Sequence, residues 1–295
     1  MTAEPILSAD IIGLTTTAPF SRRGFMTASA AVAAGYTLAA GPVRAEVITT
    51  DTAGLDTGDA RIKVADGEMP GYFARPKGVA NPPVIIVCME IFGLHEYIRD
   101  VTRRLAKLGA LAIAPDYYFR KGQDLTKISD MAQLIPLVNS KPDAELLTDI
   151  DATVAYAKAN GGDTDRLGMI GFCRGGRYVW EYAAHSSQPK AAVAFYGPLV
   201  DSPNPAWPKS PTQLAPEIKV PVLGLYGEAD TGILVPQVEA MKKALADAGK
   251  TAEFKIYPGA PHGFHADYRP SYRKEAAEDG WLQMQAWMKK YKVLS

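Results

Sequence analysis

This sequence contains little cysteine, little histidine and no net charge. Two cysteines in 295 residues are too few for a disulfide framework, and the absence of a C-x-x-C pair argues against a thiol redox protein. Lysine plus arginine and aspartate plus glutamate both number 32, which gives no bias toward nucleic acid as a partner. No spacing typical of metal ligands is present. The sequence therefore predicts a protein without a metal, a cofactor or a nucleic-acid partner.

The N-terminal region lacks an apolar run long enough for a stable membrane span. Its apolar stretch, Ala28 to Ala40, is shorter than the about 20 residues that cross a bilayer. Ser21 to Phe25 reads S-R-R-G-F before this stretch, and Val43-Arg44-Ala45 offers small residues for cleavage after it. The arrangement resembles a twin-arginine export signal. We expect residues 1–45 to engage the twin-arginine export machinery and to be cleaved, which places the mature protein in the periplasm or outside the cell.

Beyond a polar linker, residues 46–59, apolar runs alternate with amphipathic segments through residues 60–295. Such alternation predicts a single doubly wound, mostly parallel sheet with helices on both faces. The hydrophobic content, 47%, is sufficient for a large core. The predicted strands are 61–64 and 71–74 as a hairpin, then 84–89, 110–114, 166–170, 191–196, 220–226 and 252–257. The predicted helices are 96–108, 143–160, 177–184, 235–248 and 275–290, and the Pro-rich segment 198–216 is predicted to be a loop.

The hexapeptide Gly171 to Gly176, G-F-C-R-G-G, connects an apolar strand to an amphipathic helix. A G-x-nucleophile-x-G turn in this context is the nucleophile elbow of the α/β-hydrolase fold, in which glycines allow close approach and the central residue is held in a strained backbone conformation. Cys173 occupies the nucleophile position. Cysteine at a tight turn is also often a small buried apolar residue, so the assignment depends on finding its catalytic partners.

In the order typical of α/β-hydrolases the acid follows the nucleophile, and the histidine comes last. Gly227 to Asp230 lies just after the strand 220–226, and we assign the acid to Asp230, with Glu228 as the alternative. The segment after the last strand contains His262, with His265 as the alternative. The chain has four histidines, so one in this predicted position favours a triad. The remaining two, at 95 and 185, are assigned to the surface or to helix ends.

These residue types fit thiol chemistry. A free thiol, with a pKa of about 8.5, needs an imidazole to take its proton, and a carboxylate fixes the imidazole tautomer. Attack on an ester or lactone carbonyl gives an oxyanion. We predict that it is stabilised by the backbone N–H groups of Arg174 and Ile91.

Four motifs together resemble the dienelactone hydrolase (carboxymethylenebutenolidase) family, over about residues 60–290. They are Met89 to Leu94 (M-E-I-F-G-L), Pro115 to Arg120 (P-D-Y-Y-F-R), Gly171 to Gly176, and Pro261 to Phe264 (P-H-G-F). The resemblance implies an α/β-hydrolase fold and a Cys-His-Asp triad at the positions assigned above.

The resemblance also implies further site residues. The glutamate of the E-I-F-G motif, Glu90, is implied to contact the resting thiol and to move when substrate arrives. Tyr118 and Arg120 are implied to bind substrate, with the arginine pairing a substrate carboxylate through two hydrogen bonds. A second carboxylate-binding arginine of the family corresponds to Ala266 here. Arg269, nearby in the sequence, is our candidate replacement.

The resulting prediction is an exported hydrolase of a small ester or lactone, acting through an acyl-enzyme on an anionic substrate such as a dienelactone. A broad-specificity carboxylesterase and a non-catalytic binding protein on the same fold are the alternatives. We expect Cys88 and Cys173 to stay reduced, because a bond between them would consume the nucleophile. The sequence gives no oligomeric state.

Overall fold

The computed structural model describes residues 47–201 and 204–295. The predicted twin-arginine signal, residues 1–45, lies outside the described residues. Among those that are described, none of the helices is both long and apolar enough to cross a membrane.

An eight-stranded sheet forms the centre of the fold, in the spatial order β1-β2-β4-β3-β5-β6-β7-β8. The strands β1 to β8 are Leu55–Val64, Gly67–Pro76, Pro83–Cys88, Leu111–Pro115, Asp163–Phe172, Ala191–Phe195, Val222–Gly227 and Ala252–Tyr257. The hairpin β1–β2 is antiparallel and pairs antiparallel with β4, whereas all other neighbours are parallel. The helices α1 to α7 are Glu96–Lys107, Met131–Asn139, Asp143–Ala159, Arg174–His185, Pro211–Leu214, Val235–Asp247 and Lys274–Lys290.

The central strands β3, β4 and β6 are buried along their whole length. Their continuous apolar sequences suit strands that are covered by helices on both faces, because neither face can then carry polar side chains to water. This confirms the predicted doubly wound α/β-hydrolase fold. Since parallel strands end at the same edge of the sheet, the segments after β3 to β8 begin there, and those after β3, β4, β5, β7 and β8 contain the predicted site residues.

Local differences from the prediction have physical reasons. The strand β1 begins at Leu55, within the segment predicted as a linker, because antiparallel pairing with β2 continues from Leu55 opposite Pro76. The helix α2 was not predicted from its sequence, which includes Pro136 in its interior. The Pro-rich segment contains the short helix α5, in which Pro211 occupies the first turn, where its missing N–H costs nothing.

Candidate active site

The nucleophile elbow joins β5 to α4 at Cys173. Its backbone has φ 57° and ψ −122°, a conformation that residues with a side chain rarely adopt. The Cys173 N–H donates to the carbonyl of Phe195 at 3.0 Å, which ties the turn to the neighbouring strand β6. The structure therefore places the cysteine in the strained position expected of a nucleophile.

The glycines of the elbow allow its close packing. A Cβ on Gly171 would lie 2.1 Å from the carbonyl oxygen of Gly175, and one on Gly175 would lie 2.1 Å from that of Cys88. Both distances are far shorter than a van der Waals contact. The turn thus exists because glycine lets the start of α4 pack directly against the end of β3.

Asp230 and His262 form the buried pair that the sequence predicted. The Nδ1 atom of His262 lies 2.7 Å from Oδ2 of Asp230, and both side chains are inaccessible to solvent. The other carboxylate oxygen of Asp230 accepts from the backbone N–H groups of Gly232 at 2.8 Å and Ile233 at 3.0 Å. An acceptor-only carboxylate fixes the proton on Nδ1 and leaves Nε2 as a base. The Nε2 atom has no hydrogen-bond partner within the described structure.

Both alternative residues are engaged elsewhere. Glu228 is exposed and accepts from the backbone N–H of Gly259 at 3.0 Å. His265 lies 2.6 Å from the Tyr97 hydroxyl through Nδ1 and packs against the ring of Phe172. Burial, followed by the positive charge of Arg104, lowers the pKa of His265 to about 3, so this imidazole stays neutral.

Glu90 is a buried carboxylate at the end of β3. Its Oε2 atom accepts from the Tyr268 hydroxyl at 2.8 Å and lies 3.3 Å from Nε2 of His95, while Oε1 has no partner among the described residues. Burial raises the pKa of Glu90, but His95, Arg269 and Tyr268 lower it by more, so the pKa lies below its usual value. Glu90 is therefore ionised at neutral pH. The contact with His95, at the N-terminal end of α1, was not predicted from the sequence.

Arg269 is brought into the same site although it follows His262 by seven residues. Its guanidinium is buried and lies 5.3 Å from the ring centre of Phe92. Burial lowers the pKa of Arg269, but the charges of Tyr268, Glu90 and Cys173 together raise it by more, so the pKa lies above its usual value. Its Nη1 atom has no hydrogen-bond partner in the described part of the chain. A buried cationic donor without a partner is suited to bind an anion.

Arg120 is engaged by carboxylates of the protein. Its guanidinium donates to both oxygens of Asp66, at 2.7 Å each, and to both oxygens of Asp149, at 2.8 and 3.0 Å. A substrate carboxylate would have to displace one of these pairs. Tyr118 is buried behind the elbow, with its hydroxyl 2.6 Å from that of Tyr178 in α4. The roles of Arg120 and Tyr118 in substrate binding stay predictions.

The predicted oxyanion hole lies where the segment after β3 meets α4. Arg174 is the first residue of α4. The N–H groups in the first turn of a helix have no acceptor within that helix, and the Arg174 N–H is one of them. Ile91 is buried in the adjoining segment. The Arg174 side chain donates to Oδ1 of Asn139 at 3.2 Å and stacks on the ring of Trp207 at 4.2 Å. Its charge is thus used to hold α2 and the Pro-rich segment beside α4.

Cys88 and Tyr196 complete the surroundings of the nucleophile. Cys88 pairs in register with Gly171 of the elbow strand, and neither cysteine forms a disulfide bond. Burial raises the pKa of Cys88 to about 12, and its sulfur lies 3.4 Å from the Tyr117 hydroxyl. Tyr196 packs its ring edge-on against His262, with ring centres 5.1 Å apart. Nothing in the local sequence identified Tyr196.

The fold and this site define a carboxylic ester hydrolase of the α/β-hydrolase type. The chain belongs to the dienelactone hydrolase family, whose sequence profile matches residues 69–292.

Relatives and solved structures agree with this class. A Methylorubrum extorquens protein named "Putative carboxymethylenebutenolidase" is 49% identical over 288 residues, 97% of this chain and 98% of that protein. A Bradyrhizobium protein named "Probable 2-oxo-3-(5-oxofuran-2-ylidene)propanoate lactonase" is 33% identical over 212 residues, covering 71% of this chain and 84% of its own. The crystal structure titled "Putative Dienelactone Hydrolase" from Klebsiella pneumoniae is similar with a TM-score of 0.78 and 48% identity, over 80% of this chain and 99% of that chain.

Proposed function

We propose that this protein hydrolyses a small ester or lactone that carries a carboxylate, through a thioester between the substrate acyl group and Cys173. The observation that carries the proposal is the buried His262–Asp230 pair at 2.7 Å, in which the histidine Nε2 has no hydrogen-bond partner among the described residues, together with a cysteine in a strained elbow. In this proposal His262 is the base, Asp230 orients it and Cys173 is the nucleophile, which are the three roles that acyl transfer requires.

The proposed reaction has two stages, acylation of Cys173 and hydrolysis of the thioester. The Nε2 atom of His262 takes the thiol proton, and the sulfur of Cys173 attacks the carbonyl carbon. The N–H groups of Ile91 and Arg174 stabilise the oxyanion until the carbon–oxygen bond breaks and His262 returns the proton to the leaving oxygen. Water, deprotonated by the same nitrogen, attacks the thioester carbonyl carbon. The carbon–sulfur bond then breaks, and His262 returns the proton to the sulfur of Cys173. The products are a carboxylate and an alcohol, or one hydroxy acid when the substrate is a lactone.

An anionic substrate is favoured by Arg269. Its Nη1 has no hydrogen-bond partner among the residues that the structure describes, and its charge is coupled electrostatically to Glu90 and Cys173. A substrate carboxylate that binds Arg269 competes with Glu90 for this charge and so favours movement of the glutamate away from the thiol. The Bradyrhizobium relative is named for a lactone that bears a propanoate group, which agrees with this substrate chemistry.

A substrate panel tests the function. Dienelactones, simple esters and aryl esters are assayed with the wild-type protein, with Cys173→Ala and with Cys88→Ala as the matched cysteine control. We expect Cys173→Ala to lose at least about a thousandfold in kcat/KM and Cys88→Ala to stay active. Activity that survives in Cys173→Ala would refute the nucleophile. Rapid turnover of neutral esters alone would favour the broad-specificity carboxylesterase, and no turnover by wild type would favour a binding protein.

We propose further that the protein is exported through the twin-arginine pathway, as its S-R-R-G-F motif indicates. The paired substitution of Arg22 and Arg23 by lysine, which keeps the charge, is expected to leave the protein in the cytoplasmic fraction with its leader uncleaved. Cell fractionation and the mass of the purified protein measure both outcomes. Periplasmic, cleaved protein from the lysine variant would contradict the proposal.

A further inference from the structure

Tyr196 is a second strained residue beside the nucleophile. Its φ is 38°, and it is one of four non-glycine residues with positive φ among those described, Cys173 being another. Phe172 in β5 pairs with Phe195 in β6, so the residues that follow them, Cys173 and Tyr196, leave neighbouring strands at the same level. A bulky side chain in this backbone region is uncommon and is found most often at functional sites.

The Tyr196 hydroxyl is buried, and no hydrogen bond of standard geometry reaches it among the described residues, although the Tyr97 hydroxyl interacts with it. Such a group normally costs stability, because it loses its water and gains little in return. The ring is held between His262 and Phe264, with centres 5.1 and 5.2 Å away. Phenylalanine would keep both contacts. Packing therefore explains the ring of Tyr196 but not its hydroxyl.

The groups around this hydroxyl are those of the reaction. The groups that act on it electrostatically are Tyr97 from α1, Glu90 after β3, Cys173 at the elbow and Arg269 from the loop after β8. The ring of His262 packs against the tyrosine ring. Burial comes first among the causes that raise the pKa of Tyr196 well above its usual value. The hydroxyl consequently keeps its proton and is available to donate to a developing negative charge.

We infer that Tyr196 is a further catalytic residue, whose hydroxyl donates a hydrogen bond to the sulfur of Cys173 while that sulfur carries negative charge. The inference rests on the proposed role of Cys173 as nucleophile. The thiol proton goes to Nε2 of His262, and Tyr196 keeps its own proton throughout. The hydrogen bond forms when the thiolate forms, so it stabilises the reacting state and not the resting one, which is the arrangement that accelerates a reaction.

The test is Tyr196→Phe, with Tyr257→Phe as the control. The Tyr257 ring also packs on Phe264, at 4.9 Å, but its hydroxyl donates to Asp279 outside the site. A lost hydrogen bond to a charged group predicts a fall in kcat of about 10- to 100-fold with little change in KM. The pH midpoint for alkylation of Cys173 by iodoacetamide, located by mass spectrometry, should rise by about one unit. The midpoint of urea unfolding should be unchanged or higher.

Three results would overturn the inference. One is an unchanged kcat and alkylation profile in Tyr196→Phe. Another is a raised KM at unchanged kcat, which would make the hydroxyl a ground-state substrate ligand. The third is a lower urea midpoint in Tyr196→Phe, with a loss of folded protein large enough to account for the fall in kcat. That result would give the hydroxyl a structural role. The Cys173→Ala assay separates these from failure of the proposed function, because that variant tests the nucleophile without reference to Tyr196.

Discussion

At the scale of single residues, two arginines compete for the role of binding a substrate carboxylate. The family resemblance implies Arg120, whose guanidinium is already paired with Asp66 and Asp149. Arg269, in contrast, interacts electrostatically with both Glu90 and Cys173. The structure therefore makes Arg269 the stronger candidate, on the physical ground that its Nη1 donor has no protein partner among the residues described.

Replacing Arg269 by glutamine should raise KM for a carboxylate-bearing ester by about 10- to 100-fold, because a charge-assisted hydrogen bond is lost. KM for a neutral ester of the same size should change far less. Steady-state kinetics with the two esters measure the ratio. The control is Arg273→Gln, at an exposed arginine whose guanidinium donates to the carbonyls of Pro270 and Tyr272 in the same segment, and it should leave the ratio unchanged. Equal effects on both esters would exclude the anion-binding role.

At the scale of elements, the contact between β3, β5 and α4 determines where the nucleophile lies. The start of α4 packs on the end of β3 so closely that Gly175 has no room for a Cβ. The sequence motif predicted this turn because the glycines that allow it lie within the motif itself. The helix α2 and the course of the Pro-rich segment were harder to predict, because they are held by distant contacts such as that of Arg174 with Trp207.

Gly175→Ala should destabilise the fold by about 3 kcal/mol or more, since a Cβ 2.1 Å from the Cys88 carbonyl oxygen forces the backbone of either β3 or α4 to move. Activity should fall with it, because the movement displaces the elbow. Gly58→Ala serves as the control in the hairpin, where a Cβ would meet the flexible Phe73 ring at 3.2 Å. Its cost should stay below about 1 kcal/mol. Urea unfolding gives both values, and similar costs at the two positions would contradict this account of the elbow.

At the scale of the whole molecule, His265 links stability to pH. This neutral imidazole lies in the core against Phe172, Phe195 and Trp281, with a pKa lowered to about 3. In the unfolded chain it takes a proton near its usual pKa of 6.5. Between these two values the unfolded state binds one more proton than the folded state. The contribution of His265 to stability is therefore fully present above about pH 6.5 and is lost progressively as the pH falls toward 3.

The free energy of unfolding should therefore decrease by about 1.4 kcal/mol for each pH unit below 6.5 from this residue alone. Urea titrations at pH 7.5, 6 and 5 measure the slope. His265→Gln should lower stability at pH 7.5, because the packing and the contact with Tyr97 change, and should make the slope shallower. His185→Gln, at an exposed histidine, is the matched control for loss of an imidazole and should change stability at pH 7.5 by less than about 0.5 kcal/mol. An unchanged slope in His265→Gln would show that another group is responsible.

The sequence by itself determined the fold class, the elbow and the order of Cys173, Asp230 and His262. These follow from local rules: apolar runs with helical spacing between them, glycines at a tight turn, and positions just after strands. The sequence offered Arg269 as a candidate, but only the tertiary structure decided that its guanidinium is buried near Glu90, and that His95 and Tyr196 lie at the site. Their proximity depends on how separate loops converge at one edge of the sheet, and a local sequence pattern contains no information about the side-chain distances that result.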